Sequence, residues 1–322
     1  MARTKTIESI EDLPGVGDAN LAKIKASRFN SLDAIATADP NVFSEETGIG
    51  EETTLKVIDA AKKATNREDF ISGKDLEDKR SKIQRISTGS AALDKMLNGG
   101  VETQAITSVY GRFGSGKTQL AFQLSVNVQK PVEQGGLGGK MVFFDTEDTF
   151  RPSRIRSMAR GQGVNEDEAL KNIIYSRIYN STFQTSILEK VEKIVQKENI
   201  KLIVVDSLLA LFRSEYVGRE TLAERQQKIN VYMHNLHRIS DAYNLAVFVT
   251  NQVISQPDAM YAHDPYAPIG GNVVSHGVTY SLALRRSKGE LRIAKMIDSP
   301  EHPDQEALFL CTEAGIKDVV NG

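Results

Sequence analysis

The residues best suited to chemistry are Gly111, Arg112, Phe113, Gly114, Ser115, Gly116, Lys117 and Thr118, the run GRFGSGKT between the apolar stretch ITSVY and a helix-like segment. Three glycines there let successive amide N–H groups turn inward, and the N-terminus of the following helix adds partial positive charge. A polyphosphate fits such a nest. Lys117 would reach its β and γ phosphates as a point charge, and Thr118 would place a hydroxyl on a magnesium ion. That ion needs a second anchor, and Asp206 at the end of LIVVD brings a carboxylate to the carboxyl edge of a strand, where open α/β sheets bind ligands. Hydrolysis also needs a water in line with the γ phosphate, and Asp145, Glu147 and Asp148 of MVFFDTED follow another such strand. Glu147 is the preferred base; Asp145 sits closer to the strand and suits a structural role, and Asp148 suits a turn cap. Chemistry alone does not separate the three. In AVFVTNQ, Thr250, Asn251 and Gln252 end a further strand. A neutral amide at that edge either senses the γ phosphate and shifts the segment beyond it, or merely caps the strand.

These residues need a sheet to deliver them. ITSVY, MVFFD, LIVVD and AVFVT are nearly all apolar instead of alternating, the pattern of parallel strands buried on both faces. Helical spacing is predicted over 118–128, 186–198 and 221–243, so strand and helix alternate as in a parallel sheet covered on both sides. Beyond Gly271, VTYSLALRRS, LRIAKMID and ALFLCTE suggest strands that extend the sheet as hairpins. The expected fold class is α/β, a phosphate-loop ATPase core over residues 83–322.

Residues 1–66 have a different texture. The turns LPGVG and TGIG are each followed by apolar residues at helical spacing, Leu21 and Ile24, then Leu55 and Ile58, which makes an internal two-fold repeat. A glycine hairpin between two helices presents backbone N–H groups to a phosphodiester, so Gly15 and Gly17 are candidate DNA contacts. Residues 67–82 read as a charged linker with a helical second half and one aromatic, Phe70.

Two long polar connections follow the strands ending in Asp206 and Gln252. The first carries Arg213, Tyr216, Arg219 and Arg225 around Gly218, a mixture suited to a single-stranded backbone and its unstacked bases. The second, SQPDAMYAHDPYAPIGGN, holds no Lys or Arg but has Met260, Tyr261, Tyr266 and Ile269 for wedging or stacking, with Gly270 and Gly271 for close backbone approach and Asn272 as a further candidate DNA contact.

The chain has 322 residues, 40% of them hydrophobic, which is enough for a large core and a smaller second domain. No apolar run is long enough to cross a bilayer, and the N-terminus lacks the apolar core of a signal peptide; a cytoplasmic protein is expected. The net charge of −2 neither favours nor excludes a nucleic acid. The one cysteine, Cys311, cannot form an internal disulfide and reads as a small buried hydrophobe.

With these residues in place, nearly the whole chain resembles the RecA family of recombinases, specifically the archaeal RadA group. The resemblance runs through LPGVG, Phe70, ISTGSAALDKMLNGGVE, FGSGKTQ, FFDTEDTFRPSRI, LIVVDS, VGRETLAERQ, VTNQV, PIGGNVVSH and MIDSPEHP, in order and spacing. It implies a helix-hairpin-helix DNA-binding domain before a RecA-type core, and an ATP- and magnesium-dependent enzyme. Such a protein forms helical filaments on single-stranded DNA, or rings without it, and exchanges strands with double-stranded DNA, with mediator proteins as further partners. It also implies residue roles: Asp206 as the Walker B carboxylate, Glu147 as the water-activating group, and Gln252 as the amide linking nucleotide to the second loop. Arg154 would stack on adenine, Asp298, Ser299, Pro300 and Pro303 would cap a neighbour's nucleotide, and Phe70 would plug into the next core. Arg112, Ser281 and His302 depart from the family pattern. A hexameric motor and a non-catalytic mediator are the competing functions; the N-terminal hairpins and Phe70 speak against the first, the intact phosphate motifs against the second.

Overall fold

The computed structural model describes residues 7–67, 70–255 and 266–319. The first domain contains α1 (Asp18–Ala26), α2 (Leu32–Ala36), α3 (Pro40–Thr47) and α4 (Glu51–Ala64). Its two hairpins lie side by side: the Lys23 ammonium donates to the carbonyl of Gly48 at 3.2 Å, and a Cβ on Gly15 would stand 2.9 Å from Thr53. Phe29 and Phe43 meet at 5.1 Å in its core, with Ile24, Val57 and Ile58 around them. Leu55 differs from expectation. It is 51% exposed, because the buried stripe of α4 runs through Thr54, Val57, Ile58 and Ala61.

The linker holds α5 (Gly73–Arg80), entered through a capping box between Ser72 and Asp75. No residue of α5 is buried, and Phe70 beside it is 93% exposed.

The core begins with β1 (Arg85–Ile86), α6 (Ala91–Met96) and β2 (Val101–Glu102), then β3 (Ile106–Tyr110), α7 (Lys117–Asn127) and β4 (Lys140–Asp145). It continues through α8 (Pro152–Gly161), α9 (Glu166–Lys171), β5 (Ile173–Arg177), α10 (Ser181–Ile194), β6 (Ile200–Asp206), α11 (Ala210–Glu215), α12 (Leu222–Tyr243) and β7 (Ala246–Asn251). The final elements are β8 (Val253–Ser255), β9 (Tyr266–Pro268), α13 (Gly271–His276), β10 (Tyr280–Arg286), β11 (Leu291–Asp298), β12 (Glu306–Thr312) and β13 (Gly315–Asp318). Among the described residues one nine-stranded sheet has the order β13-β12-β11-β10-β3-β7-β6-β4-β5. From β10 to β5 the neighbours are parallel, and β10 to β13 pair antiparallel, as the hairpin pattern predicts.

Alternate residues of each apolar strand enter different cores, which is why those strands carry no polar face. Leu202 and Val204 of β6 face one layer with α7, while Ile203 and Val205 face the other with α12. The edge strand β5 was not expected from sequence. Its five residues run from buried Ile173 through exposed Tyr175 to the polar Ser176 and Arg177, too short and mixed for the apolar pattern to show.

The helical domain docks on α12. Ala34 joins the core on that face, and Arg67 pairs with Asp241 of α12 and lies 3.6 Å from Asp33 of α2. Nearby, Glu192 of α10 is a fully buried carboxylate, 2.7 Å from Arg238 of α12 and 3.6 Å from Arg28 of the first domain. Stripping one partner from a buried ion pair leaves a charge uncompensated. Arg238→Ala should therefore cost about 3–5 kcal/mol, read as a lower urea midpoint with an unchanged m value; a wild-type midpoint would show that this pair does not hold α10 to α12.

Candidate functional site

The carboxyl ends of β3, β4, β6 and β7 meet around one cleft of about 780 Å³. Register puts them there: Tyr110 pairs with Asn251, and Asp145 pairs with Asp206, so the residues that follow each strand converge. The loop from Gly111 to Thr118 forms the floor. A side chain at Gly111 is excluded, because its Cβ would lie 2.2 Å from the carbonyl oxygen of Leu284. Gly116 takes a φ of +105° and caps α7, with Cys311 Sγ 3.2 Å from where its Cβ would be. Cys311, expected to be buried, is partly buried and packs under the loop, and the burial it has pushes its thiol pKa up.

Ser115 is buried with its hydroxyl unpartnered, while Arg112, Phe113 and Gly114 form the exposed lip. The Lys117 ammonium donates to the carbonyls of Gly111 at 2.8 Å and Arg112 at 3.2 Å. Burial lowers its pKa, and the charges of Asp206 and Glu147 oppose that shift. Asp206 accepts hydrogen bonds from Thr250, Thr118 and, at 3.3 Å, Thr149. Burial raises its pKa, the hydroxyls of Thr250 and Thr118 pull it down, and Glu147 and Asp145 push it up again. Asp206, the deepest carboxylate of the cleft, is already joined to the Thr118 hydroxyl and has Glu147 beside it, a donor set that fits a divalent cation held by Thr118 and Asp206.

The acidic cluster separates cleanly. Asp145 is wholly buried and accepts the N–H groups of Glu147, Thr149 and Phe150, so its work is to fold the loop. Asp148 takes a φ of +60° and is a turn residue. Glu147 alone faces the cleft, where Oε1 accepts from Ser207 Oγ at 2.8 Å and Gln252 Nε2 at 2.7 Å. Gln252 Oε1 in turn accepts from Arg213 Nη1 at 3.3 Å. A continuous chain therefore joins Glu147, Gln252 and Arg213.

Arg154 lines the cleft, but its guanidinium is engaged with Gln119 Oε1 at 2.7 Å and the carbonyls of Thr312 and Glu313. Asp298 and Pro303 do not line it. They are exposed at the opposite end of β10, where the Tyr280 hydroxyl meets Glu301 and its ring stacks on His302. Ser281 is buried in β10 between Ser108 and Asp298, away from the cleft. Residues that the sequence reading passed over include Ser207, Thr149, Arg151 and Arg292, all lining the cleft. Ser207 was within reach, since it directly follows Asp206.

The first polar connection is shorter than expected. Arg213 lies on α11 and Arg225 in the first turn of α12, leaving Tyr216 to Thr221 as the irregular part. Arg219 is exposed; Tyr216 is half-buried, with the Lys228 ammonium 4.7 Å over its ring. Met260 and Tyr261 lie outside the described residues. Gly270 takes a φ of +109° and caps α13, which Gly271 and Asn272 begin. Gly15 and Gly17 are exposed at the entry to α1, and Gly17 is its N-cap.

Comparison with known proteins agrees with this layout. Residues 79–319 match the family model described as Rad51, and residues 6–63 match the one described as a SAM-like helix-hairpin-helix tandem. The DNA repair and recombination protein RadA of Aeropyrum pernix is 47% identical over 314 residues, covering 98% of each chain. A Rad51-type core behind a helix-hairpin-helix domain, matched end to end by a RadA relative, makes this chain a member of the Rad51 family, in its archaeal RadA branch.

Proposed function

We propose that the chain is a DNA-dependent ATPase that assembles on single-stranded DNA and exchanges strands between homologous molecules in recombination and repair. The observation that carries this reading is the chain Glu147–Gln252–Arg213, which runs from the proposed triphosphate site to the arginine-bearing connection. A switch needs such a path.

ATP is the substrate. The amide nest from Gly111 to Thr118 binds its phosphates, Lys117 sets its ammonium against them, and Glu147 takes the proton of the attacking water. A magnesium ion held by Thr118 and Asp206 would neutralise phosphate oxygens as charge develops. Ser207 and Gln252 both donate to Glu147 Oε1, fixing the carboxylate and leaving Oε2 for the water. Once the γ phosphate has left, Gln252 is freer to exchange partners. Its backbone carbonyl accepts from Ile269, so a shift there moves the entry to α13 and loosens the hold on DNA.

Asp298 and Pro303 reach a cleft only if they reach another copy's, which supports assembly with the site between subunits. Phe70 supplies the tether: burying an exposed ring in a partner recovers roughly 1.5–3 kcal/mol. Arg219 and Arg225 clamp phosphates, and the glycine hairpin at Gly15 and Gly17 offers N–H groups to a phosphodiester.

Three outcomes test these assignments. Glu147→Gln should retain ATP binding yet lose about a hundredfold or more of the DNA-stimulated hydrolysis rate; near-normal turnover would remove Glu147 from the reaction. Phe70→Ala should leave a folded, ATP-binding protein whose filaments on DNA, seen by electron microscopy, are markedly shorter, and wild-type lengths would rule out the tether. Replacing Arg219 by Ala should flatten the logarithmic salt dependence of single-strand binding by about 0.7. An unaltered slope would take that connection off the DNA path.

A further inference from the structure

The loop that carries Glu147 is not held by the cleft alone. It is tied, through Asp145, to the outermost strand of the sheet. Asp145 Oδ1 accepts the N–H of Glu147 and of Thr149, each at 3.1 Å, and Oδ2 accepts the N–H of Phe150 at 3.0 Å. These three bonds set the turn. The fourth donor to the carboxylate comes from outside the loop: the Tyr175 hydroxyl of β5, 3.2 Å from Oδ2. Arg177, the register partner of Asp145, donates to the Asp145 carbonyl at 2.7 Å and keeps its guanidinium 3.9 Å from Oδ1.

From the other side, the Tyr175 ring rests against Phe150 at a centroid distance of 5.0 Å, so ring and hydroxyl grip the two ends of one turn. The ring is nonetheless 42% exposed, because β5 is the edge of the sheet. Burial of the hydroxyl and the charge of Asp145 raise its pKa, so the phenol stays protonated and donating at neutral pH. A wholly buried carboxylate needs every donor it can find, and the loss of one lets the others lengthen or rearrange. Here the rearrangement would fall on the N–H of Glu147 itself.

We propose that Tyr175, supported by Arg177, is a positioning residue for hydrolysis: through Asp145 it fixes the loop that aims Glu147, although it lies outside the cleft. This rests on the reading of Glu147 as the group that activates water.

Tyr175→Phe is the decisive variant, since it deletes the hydroxyl and leaves the ring on Phe150. With saturating single-stranded DNA and magnesium, kcat for ATP hydrolysis should fall roughly three- to tenfold, the weight of one buried hydrogen bond transferred to the barrier. KM, and the affinity for a non-hydrolysable ATP analogue, should stay within about twofold of wild type. Asp145→Asn should lower kcat further in the same pattern. Light scattering on DNA is measured alongside, because β5 is an open edge. A wild-type kcat in Tyr175→Phe would overturn the proposal, as would a kcat loss matched by a loss of analogue affinity or of scattering. Glu147→Gln, assayed in parallel, separates the two levels of the argument. If Glu147→Gln still turns over normally, the reading of Glu147 fails; if it is dead while Tyr175→Phe is normal, only the role of Tyr175 fails.

Discussion

Two carboxylates, Asp145 and Asp206, end adjacent parallel strands in register, and the arrangement of the cleft follows from how each is satisfied. Side by side in a buried sheet edge they would repel, so each needs its own set of donors. Asp145 takes backbone N–H groups and becomes the pivot of a turn. Asp206 takes hydroxyls from Thr118, Thr149 and Thr250, which leaves it able to share a cation. The division of labour between scaffold and chemistry is therefore a division between two kinds of hydrogen-bond donor. Glu147, two residues beyond Asp145, inherits its place from the first set and points toward the second.

The apolar strands of the core could be read directly, because a strand buried on both faces has no polar residues to confuse the pattern. The phosphate loop was equally legible, since Gly111 admits no side chain and Lys117 and Thr118 follow at fixed spacing. Less visible were features that depend on partners distant in sequence. β5 is short and half-exposed, so neither its existence nor the reach of Tyr175 to Asp145 leaves a periodic trace. The helix α11 has six residues, too few for helical spacing to stand out, and it turned an expected loop into a structured element carrying Arg213. Glu147 is preferred over Asp145 and Asp148 in the sequence, but chemistry alone does not separate three neighbouring acids; burial of Asp145 and the positive φ of Asp148 do.

Docking of the helical domain shows a second use of buried charge. Glu192 is reached by Arg238 from its own domain and by Arg28 from the other, while Arg67 spans Asp33 and Asp241. Ion pairs of this sort add little net stability compared with apolar contacts, but they punish misplacement. They suit a joint that must come to rest in one orientation; α5, in the linker beyond it, buries none of its own residues and reaches the core through Arg80, 3.2 Å from Glu102.

Asp298 and Pro303 sit at one end of β10, and the cleft opens at the other. If a second copy completes the cleft, a row of molecules presents an unfinished pocket at one terminus and an unused lid at the other. The two termini are then chemically unlike. Addition and departure of molecules need not proceed alike at both, and a direction of travel along DNA would already be written in the orientation of a single strand.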